Sequence, residues 1–184
     1  MTNLKEEEAF KILEAHVKND KLRKHMIAVA AIMRKLATLL GENEEIWYLT
    51  GLLHDIDYEE VEDFKQHGVR SAEILKDFLP EEALEAIRAH NEMTGYKSDK
   101  RLAIALRAAD QASGLIIATA LVMPHKKLEE VKLKSLLKKF KQKDFARRVD
   151  RKKIRLCEKL GLTLEKFLEV GLEALKEIHA ELGL

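Results

Sequence analysis

A chain of 184 residues and 21.1 kDa can bury one sizeable core but is too short for a second large domain. Hydrophobic residues make up 46% and charged residues 35%, with only eight glycines and two prolines, which excludes both disorder and an all-β fold and predicts an all-α one. The 33 basic and 32 acidic residues nearly cancel to +1, yet Pro124 to Arg155 holds fourteen Lys or Arg against four acids, a local excess of +10 that leaves −9 for the rest. The longest uncharged apolar run, Ala112 to Met123, is shorter than the roughly 18 to 20 residues of a membrane helix, so no membrane partner is expected. Met1 to Phe10 carries three consecutive glutamates and no signal core, and Cys157 alone permits neither an intrachain disulfide nor a multi-thiolate site. Both point to a cytoplasmic protein in which Cys157 serves packing.

Apolar periodicity predicts helices over 5–18, 21–40, 44–55, 65–79, 81–91, 99–122, 128–141, 144–160 and 164–181, with no internal repeat or flexible linker. The second reads Leu22, His25, Val29, Ile32, Leu36, Leu39, steps of three and four that set an imidazole in the inward row. The third runs Trp47-Tyr48-Leu49-Thr50-Gly51-Leu52-Leu53 into His54-Asp55, just where the apolar stretch stops; neighbours on a helix point about 100° apart, so both can reach an ion near the helix end. The fourth reads Phe64, His67, Ser71, Ile74, Phe78. Pro80 with Glu81 and Glu82 marks the start of the fifth, whose row is Ala83, Ile87, His90. The sixth reads Ala103, Leu106, Asp110, Ser113, Ile117, and an isolated carboxylate among such neighbours costs several kcal/mol unless a cation or hydrogen-bond network meets it. The basic stretch 124–160 is expected to pack as a helical extension on the same body, giving one domain over 1–184.

A single histidine on an apolar face is usually a hydrogen-bonded core residue, and a His-Asp pair is common by composition. Four histidines from four predicted helices, with two aspartates, form a stronger pattern, whereas His16, His125 and His179 have no such partners. Imidazole with carboxylate suits one or two divalent transition metals, Mn, Fe, Ni, Co or Zn, and not an all-oxygen calcium cage.

His25, then His54-Asp55 after 29 residues, then Asp110 on a later helix: this order resembles the HD superfamily of metal-dependent phosphohydrolases. His67 in His-Gly-Val-Arg-Ser-Ala-Glu-Ile-Leu and His90 in Ala-His-Asn-Glu match the extra histidines of its two-metal members. The resemblance implies an HD-domain-like helical bundle with the metal site between helices. Asp55 would bridge the ions, with His25, His54 and Asp110 completing one site and His67 and His90 the other. It further implies hydrolysis of a phosphoester or phosphoanhydride of a nucleotide or other small phosphorylated substrate. Asp57-Tyr58 stands where the cyclic-dinucleotide branch has Gly-Lys, and the Gly-Tyr-Pro signature is absent, so that substrate is not expected. Other branches often place an acid at the position of Tyr58, and the catalytic role is therefore expected of Asp57 or Glu59, beside Asp55. Phosphoryl transfer spreads negative charge that needs further cations and donors. Arg70, one turn after His67, and Asn91 are expected to bind substrate, as are Lys134, Lys138, Arg147 and Arg151 of the basic segment, for which surface charge is the simpler alternative.

Two other readings use the same residues. An HD-fold di-iron oxygenase would suit the same four histidines and two aspartates. A metal-stabilised, non-catalytic module binding nucleotide or nucleic acid is less favoured, because Phe140 and Phe145 are the only aromatic residues in the basic segment. The oligomeric state cannot be read from the sequence.

Overall fold

Local signals start and stop the helices where the chain must turn. In the computed structural model, which describes residues 2 and 4–184, the Asn19 side chain accepts from the Leu22 amide at 3.1 Å to open one helix, and Asn43 accepts from Ile46 at 2.9 Å to open the next. Between them Gly41 adopts a left-handed φ of 70° that ends the first. The described residues form ten α-helices and no strand: α1 Glu6–His16, α2 Asp20–Leu40, α3 Glu44–Leu53, α4 Val69–Leu75, α5 Glu81–His90, α6 Arg101–Leu121, α7 Leu133–Lys141, α8 Arg151–Ile154, α9 Leu164–Glu177 and α10 His179–Leu182. The all-α fold is thus as expected.

The central packing is α2 on α3, with α6, α5 and α9 around them. Met26, Val29, Ile32, Met33 and Leu36 of α2 and Leu49, Leu52 and Leu53 of α3 are all fully buried in this core. A side chain at Gly51 would lie 2.9 Å from the Ala30 Cα and 3.0 Å from the Met33 Cγ, so this glycine sets how closely α3 lies on α2. Close approach here also fixes the end of α3, where His54 and Asp55 emerge. Helix α6 is long and apolar enough to cross a membrane by length and composition, but 67% of its most apolar window is buried inside the fold, and it acts as a core helix. Leu128, Val131, Leu136, Phe140, Ile154, Cys157 and Leu160 join the same apolar cluster, so the basic segment packs on the body through one face. Burial pushes the Cys157 thiol up to about 11, which keeps it an unreactive packing group.

Four predicted helices are markedly shorter or broken, and the last of them, 164–181, is interrupted at Ile178 between α9 and α10. Only Val69–Leu75 of 65–79 is α-helical, because His67 is extended and Gly68 takes φ 94°. His67 therefore does not share a helical row with Ser71, and Phe64 and Phe78, expected inward, are exposed, as is Leu39 at the end of α2. A 3₁₀ turn over Leu128–Glu130 and extended Val131 precede α7. Residues 144–150 form turns rather than helix, with Ala146 at φ 47°, followed by short α8 and a 3₁₀ run over Arg155–Leu160. Apolar spacing alone could not distinguish these short turns from continuous helix.

Candidate metal centre

Five elements deliver six donors to one point. His25 comes from the first turns of α2, His54 and Asp55 from the end of α3, His67 from the residue pair preceding α4, His90 from the end of α5 and Asp110 from the middle of α6. Asp55 is the hub. Its Oδ1 lies 3.1 Å from both His67 Nε2 and His90 Nε2, and its Oδ2 lies 3.3 Å from His54 Nε2 and 3.6 Å from His25 Nε2. Asp110 Oδ1 approaches His25 Nε2 at 3.0 Å and His54 Nε2 at 3.9 Å.

Every imidazole is oriented by its other nitrogen. Nδ1–H of His54 donates to the Gly51 carbonyl at 2.7 Å, that of His90 to the Ile87 carbonyl at 2.5 Å, and that of His67 to Asp57 Oδ1 at 2.7 Å. His25 Nδ1 lies 3.3 Å from the Ser113 hydroxyl, which itself donates to the Asp110 carbonyl at 2.7 Å and so accepts from the ring. These partners select the tautomer that leaves each Nε2 lone pair facing Asp55. The histidine residues of α3 and α5 bond to carbonyls three residues back, an arrangement available only at a helix end. The sequence places both there.

The donor set fits divalent transition ions on two observations. His54 Nε2 is fully buried with no hydrogen-bond partner, a costly position for an imidazole nitrogen unless a cation occupies it. The Nε2 atoms of His67 and His90 stand 3.2 Å apart, where two lone pairs repel unless a proton or an ion lies between them. His25, His54 and Asp110 form one group able to hold an ion, and His54, Asp55 and His90 another.

Protons occupy these positions when ions do not. Burial opposes charge on His54, but the nearby Asp55 and Asp110 carboxylates outweigh it and push the imidazole up to about 9. His67 likewise reaches about 9, burial being overcome by Asp55 and Asp57. Burial also opposes the Asp55 carboxylate, yet the surrounding histidines hold it well below the usual range, and His25 helps to hold Asp110 at about 2 despite burial. The direction with pH follows. In the metal-free protein the charged His54 and His67 stabilise the fold fully below their unfolded pKa of about 6.5, and this is lost as pH rises through about 9. An ion competes with those protons, so metal affinity rises between these limits, and titration near neutral pH releases up to two protons. Manganese calorimetry in buffers of different ionisation enthalpy checks this; binding without proton release contradicts it.

Five of the six donors, all but the fully buried His54, open onto a cavity of about 340 Å³, whose wall also includes Leu22, Tyr58, Asn91 and Lys153. A larger cavity of about 660 Å³ between α1, α2 and α9 shares none of these residues. Asn91 lines the metal-centre cavity, but its amide nitrogen donates to the Phe64 and His67 carbonyls at 2.7 and 3.1 Å, holding the His67 segment against the end of α5.

Other expected site residues are placed differently. Asp57, expected as a catalytic acid, is buried with both oxygens engaged: Oδ1 takes the His67 proton, and Oδ2 accepts from the Gly68 and Ser71 amides at 2.7 and 2.9 Å. It positions His67. Gly68 at φ 94° lets its amide turn toward Asp57, and a Cβ there would meet the Ile87 carbonyl at 2.7 Å. Glu59 accepts from the Lys18 and Asn19 amides, tying down the start of α2 rather than facing the cavity. Arg70 is exposed and paired with Glu73, since the break at Gly68 removes the helical register that aimed it inward. Lys134 and Lys138 line a separate surface cavity on α7, and Arg147 is exposed beside Asp144. Arg151 donates to the carbonyls of Phe140, Gln142, Phe145, Ala146 and Val149, so its guanidinium closes the 142–149 turns and is not free for substrate. Tyr58 and Lys153 were not expected in the cavity. Only the turns preceding α8 bring Lys153 there, and helical spacing carries no signal for them.

The HD domain family model matches residues 22–115, just over half of the chain, and that stretch contains all six converging donors. No curated protein and no solved structure matches the chain at a significant level. With the matched stretch, the helical fold and the His-Asp cluster in agreement, the chain belongs to the HD domain family, whose members are generally metal-dependent hydrolases.

Proposed function

We propose that this protein is a metal-dependent phosphohydrolase that cleaves a phosphoester or phosphoanhydride bond of a small phosphorylated substrate, a nucleotide being the favoured class. The observation that carries the reading is the orientation of four imidazoles, each engaged at Nδ1 and each presenting Nε2 to Asp55, with His54 Nε2 left without a protein partner. His25, His54 and Asp110 would hold one divalent ion, His67 and His90 a second, and Asp55 both. Bound ions supply Lewis acidity toward phosphoryl oxygens and a water whose pKa falls toward about 7.

The chain's own residues do the rest. Asp57 keeps a proton on His67 Nδ1, so that Nε2 is the nitrogen free to coordinate once an ion displaces its proton. Asn91 holds the His67 segment to α5 and thereby fixes the spacing of His67 and His90. Tyr58 and Phe64, 45% and 41% exposed and edge-to-face at 5.4 Å, stand next to His67 and offer apolar surface to the organic part of a substrate. A cavity of about 340 Å³ suits a small molecule rather than a folded polymer.

The test is a panel of nucleotides and other phosphoesters assayed with Mn, Fe, Co, Ni and Mg, with oxygen uptake followed in parallel. Phosphate release that chelation abolishes and metal restores is expected. Iron-dependent oxygen uptake without phosphate release would replace the proposal with the oxygenase reading, and steeply salt-dependent nucleic-acid binding without turnover would replace it with the binding module.

A further inference from the structure

We infer that Lys153, on α8 in the basic segment outside the family match, binds the phosphoryl group of the substrate at the wall of the metal-centre cavity. This rests on the phosphohydrolase reading. Among the described residues, Lys153 is the one Lys or Arg lining that cavity. Its side chain is only 19% exposed, and the nearest acid, on the exposed side chain of Glu92, lies 3.8 Å away, beyond hydrogen-bond length. Most of the stem is covered while the ammonium stays open to the cavity, so a cation with so loose a partner is available to an anion there. Of the other cations expected to bind substrate, Arg151 is engaged by backbone carbonyls and Arg70 by Glu73, and exposed Arg147 does not line the cavity. A compact ammonium on a flexible stem is well suited to phosphate oxygens.

A hydrogen-bonded chain ties the position of this lysine to a metal-ligating carboxylate. Gln111 donates through Nε2 to Asp110 Oδ2 at 3.0 Å and accepts at Oε1 from the Asp150 amide at 2.9 Å. Asp150 in turn caps α8, its Oδ1 accepting from the Lys152 and Lys153 amides at 2.9 and 3.3 Å. Arg151 clamps the preceding turns. The start of α8 is therefore fixed relative to Asp110, and Lys153 follows from it. Exposed Lys152, one residue earlier, does not line the cavity and carries the same charge, which makes it the natural control.

The probe is inorganic phosphate, titrated calorimetrically into the manganese-loaded protein at constant ionic strength. Lys153→Met keeps most of the packing stem and removes the charge; it is expected to weaken phosphate binding about tenfold or more, the usual effect of losing a charge-assisted hydrogen bond. Manganese affinity should stay unchanged, Lys152→Met should bind phosphate as the wild type does, and Lys153→Arg should keep most of the affinity. Equal phosphate affinity in Lys153→Met and Lys152→Met overturns the inference, as does a wild type that binds no phosphate. Loss of manganese binding in both Lys153→Met and Lys153→Arg also overturns it, because the lysine would then only support the fold. A wild type that binds phosphate through Lys153 but hydrolyses no phosphoester leaves the inference standing and removes the hydrolase reading. Turnover that Lys153→Met does not alter, with phosphate binding also unaltered, does the reverse.

Discussion

Asp55→Ala is expected to leave the helices folded while removing metal binding and lowering turnover by roughly 10³-fold or more, since metal Lewis acidity contributes several kcal/mol and each ~1.4 kcal/mol is a factor of ten. The reason is its central position. Asp55 is the one carboxylate within 3.6 Å of the Nε2 atoms of His25, His54, His67 and His90, so on the proposed reading its loss would remove the ligand that both ion positions share. In the metal-free state the change also removes the main charge that raises His54 and a principal one that raises His67. Burial then dominates at His54, and its proton is lost well below pH 9. Metal content by mass spectrometry, turnover and the histidine titration by NMR check the three parts. Retained metal stoichiometry with unchanged turnover would remove Asp55 from the centre of the chemistry.

Asp57→Asn should be costly in a different way. The carboxylate serves three donors, His67 Nδ1–H and the Gly68 and Ser71 amides. An asparagine presents one oxygen and one NH₂, so at least one buried donor faces another donor and goes unmet. The expected loss of stability is about 2 to 4 kcal/mol, from the usual cost of buried unsatisfied groups, and metal affinity should fall roughly 10- to 100-fold because His67 loses its orientation. Denaturant unfolding and metal titration measure the two effects. If stability and metal affinity stay intact while kcat alone collapses, Asp57 is the catalytic acid and its positioning role is wrong.

These two aspartates show where reading the chain succeeds and where it stops. His25, His90 and Asp110 interrupt regular apolar rows on helices that persist as expected, and a polar group in a buried row is visible because the period of a helix is fixed. His54-Asp55 was equally legible as a polar pair where an apolar run ends. Asp57 was noticed and expected to act as an acid, but its contacts to the amides of Gly68 and Ser71 could not be foreseen, because these approach only after the chain has turned back. His67 was singled out from a helical row that does not exist and was also matched by the resemblance to a family pattern.

The basic segment marks the limit most clearly. Its charge could be counted, and its helical spacing selected Lys134, Lys138, Arg147 and Arg151, none of which lines the cavity that holds the histidines. Lys153 lines it instead, because turns over 144–150, closed by Arg151 on carbonyl oxygens, reorient the chain before α8 begins. Composition and periodicity therefore determined the helical class, the buried rows and the polar residues that break them, since these depend on burial and a local repeat. Which oxygen meets which proton, and which lysine faces the cavity, was decided by the tertiary structure, because hydrogen bonds between distant segments have directions that no one-dimensional pattern contains.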